Sequence, residues 1–132
     1  MTILSVRVFS FLHGLHWLAR GALRLRSPLQ AKALLDRVAD NFQPLRGVDD
    51  ARAAVRALYP GGSCLSRALT IASTLPGAEV VIGVDPWNAA RLSAHAWLEV
   101  GGVRVDTNPG GSNFPEELAR FPCRPPSDRA LP

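Results

Sequence analysis

The hydrophobic pattern changes from helical spacing in the first half of the chain to strand spacing in the second half. Ser27 and Pro28 are typical of a helix start, as N-cap and first helical position. Asp49 or Asp50 is predicted to cap a third helix. A fourth helix, over residues 64–75, is apolar on almost every side, so we expect it to be central and buried.

The N-terminal residues 3–19 are strongly apolar, but three side chains interrupt them: Arg7, His13 and His16. A transmembrane helix needs about 20 predominantly apolar residues, and a secretory signal needs a basic start and a cleavage site with small residues. We therefore expect a buried or interfacial helix. The two histidines alone are a weak metal signal, and packing or surface roles are expected for them.

The β-branched run 79–84 predicts a strand, and a loop is expected over residues 85–92. Residues 95–100 and 103–106 show alternating polarity and flank Gly101-Gly102, which is a strong signal for a β-hairpin. These elements together predict an α+β fold class, with the helices first and a small antiparallel sheet after them.

The turn of this hairpin sets its register. With a two-glycine turn, Glu99 lies opposite Arg104, an opposite-charge pair that favours the register. His95 and Asp106 are then diagonal neighbours on one face. Diagonal positions lie roughly 7–8 Å apart at the backbone, a distance that two side chains can bridge. The hairpin alone is therefore predicted to bring a histidine and a carboxylate together.

The C-terminal part carries a weaker pattern. Residues 115–120 suggest a short helix, and the chain from Pro122 onward is rich in proline and charged residues, which is typical of a loose tail. With 132 residues the chain is long enough for one self-supporting core. We divide it into an N-terminal apolar helix (1–26), a folded α+β domain (27–121) and a proline-rich tail (122–132).

Arginine supplies nearly all of the positive charge, since Lys32 is the only lysine and the formal net charge is +4. This balance fits an acidic peptide partner or an anionic membrane surface, although composition alone explains it equally well. Arg20, Arg24 and Arg26, which follow the apolar segment, are candidates for peripheral contact with lipid head groups or with a partner. No arginine cluster with interleaved aromatic residues suggests a nucleic-acid groove.

The two cysteines lie in different contexts. Cys123 belongs to the proline-rich tail, so a disulfide framework is not expected. Cys64 follows a glycine turn and Ser63, whose hydroxyl is a good helix N-cap. A cysteine in the first helical turn lies at the positive end of the helix dipole, which favours a thiolate. One such cysteine with a histidine downstream points to a nucleophile in a reducing compartment.

Cys64, His95 and Asp106 together supply the nucleophile, the base and the orienting carboxylate that acyl transfer requires. The backbone amide of Cys64 is a candidate oxyanion donor, and Ser63 and Trp97 are candidate substrate contacts. No residue is identified as a second oxyanion donor. Each of the three residues alone also fits a structural role, as a core cysteine, a core histidine or a turn aspartate, so their joint placement carries the prediction.

Two blocks of the sequence resemble the transglutaminase-like leader peptidases of lasso-peptide biosynthesis, the stand-alone protease half of a split maturation protein. The blocks are Cys64-Leu65-Ser66-Arg67-Ala68-Leu69 and His95-Ala96-Trp97-Leu98-Glu99-Val100, with Val81-Ile82-Gly83-Val84 between them and Val105-Asp106 after them. The resemblance covers roughly residues 28–110. It implies a papain-like or transglutaminase-like fold, in which the cysteine helix packs on an antiparallel sheet. Arg67 belongs to the motif, and we expect it to pair with Glu99 or another carboxylate.

The resemblance also implies an activity and partners. Such bacterial cysteine proteases remove the leader from a ribosomally synthesised precursor peptide during antibiotic biosynthesis, and a cytoplasmic location follows. A separate small protein recognises the leader, and an ATP-dependent, asparagine synthetase-like cyclase closes the ring on the freed amine. This chain has no phosphate loop of the Gly-x-x-x-x-Gly-Lys type, so we expect ATP use in the cyclase and no cofactor or metal here.

Two other functions fit the same residues. One is a different Cys-His-Asp acyltransferase, such as a transglutaminase or an arylamine acetyltransferase, although the small size leaves little chain for an acceptor pocket. The other is a non-catalytic module that binds the precursor peptide. The presence of Cys64, His95 and Asp106 together favours an enzyme, because a binding module does not need all three.

Overall fold

The computed structural model of the chain describes residues 4–84, 94–108 and 116–121. In these ranges, four helices precede four strands. The helices are α1 (Val6–Leu25), α2 (Pro28–Val38), α3 (Val48–Leu58) and α4 (Cys64–Thr74). The strands are β1 (Ala78–Val84), β2 (Ala94–Val100), β3 (Val103–Asp106) and β4 (Glu116–Phe121). The predicted loop over residues 85–92 and the tail from Pro122, with Cys123, lie outside the described residues.

The four strands form one antiparallel sheet in the order β3-β2-β1-β4. Helix α4 packs on the two central strands, β1 and β2, and the other three helices pack around α4. The predicted α+β class, with a cysteine-bearing helix on a small antiparallel sheet, is therefore confirmed. The first residue of α4 is consequently held close to the β2–β3 hairpin.

Burial of α4 follows from its composition. All nine residues from Ser66 to Thr74 are buried. The hydroxyl of Ser73 donates to the Asp36 carboxylate of α2 at 2.9 Å, and the two threonines satisfy their hydroxyls on the helix itself. Thr70 donates to the carbonyl of Ser66 at 2.8 Å, and Thr74 donates to that of Ile71 at 3.0 Å. Such internal hydrogen bonds remove most of the cost of placing hydroxyl groups in a core.

Helix α1 is amphipathic, as the interrupted apolar pattern predicts. Leu12, Leu15 and Ala19 belong to the same core as the other helices, while Phe9 and Trp17 are exposed, Trp17 to 68%. No helix among the described residues is long and apolar enough to cross a membrane. The boundary drawn at residue 26 stays a prediction, although α1 shares its core with the rest of the fold.

The predicted start of α2 is confirmed. The hydroxyl of Ser27 accepts a hydrogen bond from the amide of Gln30, and the Gln30 side chain accepts one from the amide of Ser27, which is a capping box. The predicted aspartate cap of α3 is wrong, because Gly47 is the N-cap and Asp49 and Asp50 lie in the first turn. There their carboxylates are near the positive end of the helix dipole.

The short helix predicted over residues 115–120 is wrong, because Glu116–Phe121 is strand β4. Its glutamates, leucine and alanine favour a helix locally. The open edge of β1 offers a ladder of backbone donors and acceptors, and β4 pairs along it from Val80↔Phe121 to Val84↔Glu116. Tertiary pairing of this kind overrides local propensity.

Candidate active site

The turn before Cys64 positions it as the first residue of α4. The hydroxyl of Ser63 accepts a hydrogen bond from the amide of Ser66 at 3.1 Å, and the hydroxyl of Ser66 accepts one from the amide of Ser63 at 2.9 Å. The predicted N-cap is therefore confirmed. Because its hydroxyl is engaged in this cap, Ser63 offers substrate mainly its backbone.

The half-buried Cys64 lies against strand β2. Its Sγ accepts a hydrogen bond of 3.4 Å from the backbone amide of Ala96. Ala96 directly follows His95, so the thiol contacts the backbone of β2 one residue away from the predicted base. The structure thus brings Cys64 to the strand segment that carries His95, although the two residues are 31 positions apart in the chain.

The hairpin register predicted from its two glycines is confirmed, with Glu99 opposite Arg104 and Trp97 opposite Asp106. His95 Nε2 lies 4.0 Å from Asp106 Oδ1. This distance exceeds a normal hydrogen bond, but it is short enough for the carboxylate to stabilise the imidazole when that ring is protonated. The two groups differ in solvent access, since the His95 side chain is 4% exposed and that of Asp106 is 33% exposed.

Asp106 has a second partner, because Arg104 Nε donates to its Oδ1 at 3.0 Å. The Glu99 carboxylate, on the other hand, forms an ion pair of 2.5 Å with Arg120 of β4. Glu99 and Arg104 are therefore paired through the backbone, while the side chain of Glu99 forms an ion pair with Arg120 and that of Arg104 forms one with Asp106. Arg104 fixes the orienting carboxylate next to the imidazole.

Burial lowers the pKa of the His95 imidazole below its usual 6.5. The Asp106 carboxylate opposes this effect, while the positive charges of Arg104 and Arg67 lower the pKa further. The imidazole is consequently neutral at neutral pH, with a ring nitrogen able to accept a proton. That is the state that a general base needs.

Trp97 is buried and forms a wall of the hairpin face. Its ring stacks on that of His95 with centroids 6.3 Å apart, and the Arg104 guanidinium lies over it at 4.1 Å. These contacts restrict the movement of both neighbours. Direct contact of Trp97 with substrate stays a prediction.

The expected carboxylate pair of Arg67 is wrong. This side chain is 4% exposed, and its guanidinium binds two backbone carbonyls, those of Thr107 at 2.8 Å and Gly61 at 2.6 Å, and the amide oxygen of Asn108. Burial lowers its pKa, and the Cys64 thiol opposes this effect. Arg67 therefore joins the turn before Cys64 to the end of β3, where Asp106 lies.

Thr107 completes this connection, and the sequence pattern does not reveal it. The fully buried hydroxyl lies 2.8 Å from the carbonyl oxygen of Ala96 and 3.2 Å from that of Cys64. Its single proton donates mainly to the closer carbonyl. The hydroxyl thus lies between the backbone of the nucleophile and the strand that carries His95.

A sequence comparison agrees with this arrangement. The model of the transglutaminase-like superfamily matches residues 4–120. The chain belongs to this superfamily. The superfamily is of the Cys-His-Asp acyltransferase and protease type. Comparisons with curated proteins and with solved structures find no match to this chain.

In this transglutaminase-like chain, a histidine of α1 packs against the turn that precedes Cys64. His16 Nε2 lies 2.8 Å from the hydroxyl of Ser66, and the ring packs against Gly61 and Gly62. Burial, then the charges of Arg20 and Arg67, lower its pKa to about 4. His16 therefore has a packing role, as expected. No sequence pattern indicates its contact with Ser66, because 50 positions separate the two residues.

The ring of His13 contacts that of Phe9 in a tilted arrangement, with the ring centroids 4.4 Å apart. In the ranges that the structure describes, no three His, Cys, Asp or Glu side chains are grouped so that they could hold a metal ion.

Proposed function

We propose that the chain is a cysteine peptidase that removes the leader from a ribosomally synthesised lasso-peptide precursor. One observation carries the proposal: Cys64 Sγ is hydrogen-bonded to the strand residue next to His95, and His95 faces Asp106 at 4.0 Å. Membership of the transglutaminase-like superfamily supports acyl-transfer chemistry at these residues. The sequence resemblance supports the finer assignment to leader removal.

In the proposed reaction, neutral His95 takes the proton of the Cys64 thiol, and the thiolate attacks the carbonyl carbon of the scissile peptide bond. The C–N bond breaks as His95 gives this proton to the leaving amine, which is the new N-terminus of the core peptide. Water, deprotonated by His95, then hydrolyses the thioester and releases the leader. The backbone amide of Cys64, at a helix N-terminus, stabilises the oxyanion formed in both steps.

Asp106 orients His95 and stabilises its transient positive charge. Arg104 holds the Asp106 carboxylate in turn, at 3.0 Å. Because burial lowers the pKa of His95, the imidazolium is a good proton donor to the leaving amine. A carboxylate nearby is what makes this protonated state accessible in a buried site.

We further propose that the peptidase works in the cytoplasm with a small leader-recognition protein and passes the freed core peptide to an ATP-dependent cyclase. The exposed face of α1, with Phe9 and Trp17, supports contact with another surface. We expect low activity of the isolated chain, because leader recognition is assigned to the separate protein.

The decisive experiment is mass spectrometry of a cognate precursor incubated with the chain and its leader-recognition protein. We expect one cut at the leader–core junction, absent with Cys64→Ala and retained with Cys123→Ala. Cutting that survives Cys64→Ala would refute the cysteine mechanism. Precursor that binds to wild type but is never cut would favour the non-catalytic binding module.

The same experiment with an added primary amine tests the acyltransferase alternative. A peptidase gives a leader with a free carboxylate, since water accepts the acyl group. An acyltransferase gives the amide of the added amine as its main product. A mass difference between the two leader products separates these outcomes.

A further inference from the structure

A cavity of about 380 Å³ lies beside the turn that leads into Cys64. It is lined by three residues of α1 and three of the cysteine turn and helix: Arg20, Leu23, Arg24, Gly62, Ser63 and Ser66. The volume is in the range of small-molecule sites and is large enough for one side chain and its flanking backbone. Ser63, which lines the cavity, directly precedes Cys64 in the chain, so a group in this cavity lies beside the turn that leads into the cysteine.

Positive charge dominates the lining. The two ionisable residues of the cavity are both arginines, and neither has a carboxylate partner within ion-pair distance in the described part of the chain. Helix α1 itself contains no Asp or Glu that could neutralise them. Two such cations facing one concave space make a site for an anionic group.

Arg20 is held in place for such a contact. Its guanidinium stacks over the ring of Trp17 at 4.7 Å, which restricts the side chain but leaves its N–H groups, which lie in the guanidinium plane, available. A planar guanidinium matches the two oxygens of a carboxylate. Leu23, between the two arginines in sequence, adds an apolar contact for the methylene groups of an acidic side chain.

We infer that the cavity formed by Arg20 and Arg24 binds the carboxylate of an acidic side chain, Asp or Glu, in the peptide substrate, close to the bond that is cut. The inference rests on the proposed peptidase function and names a specificity determinant for it. It assigns to α1 a part of the substrate site.

Peptide binding to the Cys64→Ala chain tests this inference without any cleavage. The probes are fluorescein-labelled copies of one neutral peptide that spans the cleavage junction, each with a single Glu placed at a successive position, and a matching set with Gln. We expect Glu to bind roughly tenfold tighter than Gln at one or two adjacent positions, because each partly exposed ion pair contributes modestly. Equal preference for Glu at every position would show general attraction to a basic protein and would overturn the cavity assignment.

Two double variants test whether the preference for Glu over Gln depends on the arginines of the cavity. Arg20→Gln/Arg24→Gln, also carrying Cys64→Ala, is expected to bind Glu and Gln peptides equally. Arg7→Gln/Arg26→Gln removes the same charge from α1 and its C-cap residue, outside the cavity, and is expected to keep the preference. A Glu preference that persists in the first variant, or disappears in the second, contradicts the inference. If the double variant fails to fold by circular dichroism, the exposed Arg24 alone is changed to Gln and a partial loss is expected.

Competition with inorganic phosphate tests whether the cavity recognises a peptide carboxylate or a free anion. At equal ionic strength, we expect phosphate to displace the Glu peptide no better than chloride does. Strong and selective displacement by phosphate would overturn the carboxylate assignment. With Cys64 restored, kcat/KM for the Glu peptide is expected to exceed kcat/KM for the Gln peptide. If the Glu preference in binding depends on Arg20 and Arg24 but neither peptide is cleaved, the peptidase function is refuted and the cavity assignment still holds.

Discussion

Arg67 Nε donates a hydrogen bond of 2.8 Å to the carbonyl oxygen of Thr107, and this contact joins the nucleophile helix to the end of β3. Arg67 lies one turn after Cys64, and Thr107 directly follows Asp106. The same guanidinium binds the carbonyl of Gly61 at 2.6 Å, before the cysteine. One buried side chain therefore connects the segments that carry Cys64 and Asp106.

Replacement of Arg67 by lysine is expected to destabilise the fold. A lysine keeps the charge, but its single ammonium cannot reach the same acceptors in the directions of a guanidinium fork. We expect a loss of about 3 kcal/mol in the free energy of unfolding, since buried carbonyls lose charged donors. Urea unfolding measures this. Arg52→Lys, at an exposed position of α3, is the control and is expected to change stability by less than about 0.5 kcal/mol; equal effects of both substitutions would contradict the prediction.

Thr107→Val is expected to distinguish the positioning of the active-site residues, measured by kcat, from the stability of the fold. It removes the hydroxyl between the carbonyls of Ala96 and Cys64, at a fully buried site. Thr74→Val is the matched control, because Thr74 is equally buried and also donates to backbone carbonyls, but within α4. Both are expected to lose about 1–2 kcal/mol in unfolding free energy. Only Thr107→Val is expected to lower kcat, by about tenfold, because small displacements of reacting groups are costly.

The parts of the fold that sequence reasoning predicted are those with local signals. Alternating polarity around two glycines predicted the register that places His95 near Asp106, and a serine cap predicted the residue at which α4 begins. These features depend on short-range backbone chemistry. Strand β4 was not predicted, because its local composition favours a helix and the residues of β1 that pair with it are 32 to 41 positions away.

The connections within the site were not predicted for a related reason. The positive charge of Arg67 suggested a carboxylate partner, but its acceptors are two backbone carbonyl oxygens and a side-chain amide oxygen. Because every residue has a backbone carbonyl, residue types do not indicate which carbonyls Arg67 binds. The contact between His16 and Ser66 joins α1 to α4 across the core. Nothing in the residue types at these positions reveals such a pair.

Gly62→Ala is expected to disturb the turn before Cys64 strongly. Gly62 has a φ of +67°, and a Cβ there would lie 2.7 Å from His16 Nε2 and closer still to the Ser66 hydroxyl. Gly77→Ala is the control, with a φ of +85° but no atom near the added Cβ. We expect about 1–2 kcal/mol of destabilisation at Gly77 from backbone strain alone and about 1–3 kcal/mol more at Gly62 from the collisions. Thermal and urea unfolding of both variants provide the comparison.

Asp106→Asn is expected to change both the rate and its pH dependence. The carboxylate raises the pKa of His95 against the effect of burial, so its neutralisation lowers that pKa further. The acidic limb of the kcat/KM profile should then move to lower pH, while kcat falls on the order of a hundredfold through weaker stabilisation of the imidazolium. The kcat of Asp106→Ala, which also lacks the side-chain oxygen that orients His95, is expected to fall further. An acidic limb that moves to higher pH in Asp106→Asn would refute the pairing.

Stability is expected to decrease as the solution is acidified below neutral pH, and His16 is the main predicted cause. In the unfolded chain His16 binds a proton near its ordinary pKa of 6.5, whereas in the folded chain burial and the charges of Arg20, Arg67 and His13 lower that pKa to about 4. Between these values the unfolded state holds the extra proton, so acidification favours unfolding. The stability present above pH 6.5 is lost progressively down to about pH 4, and this shift corresponds to on the order of 3 kcal/mol.

Urea unfolding of wild type, His16→Gln and His13→Gln across this pH range tests the assignment. His16→Gln cannot titrate and keeps a polar group near Ser66, so its free energy of unfolding should depend less on pH. The remaining slope belongs in part to His95, whose pKa burial also lowers. His13→Gln, on the same helix, is expected to keep most of the wild-type slope, because the charge of His13 is the smallest of the causes that lower the pKa of His16. If His16→Gln loses stability with acid as steeply as wild type does, the buried imidazole under the cysteine turn is not the group that titrates.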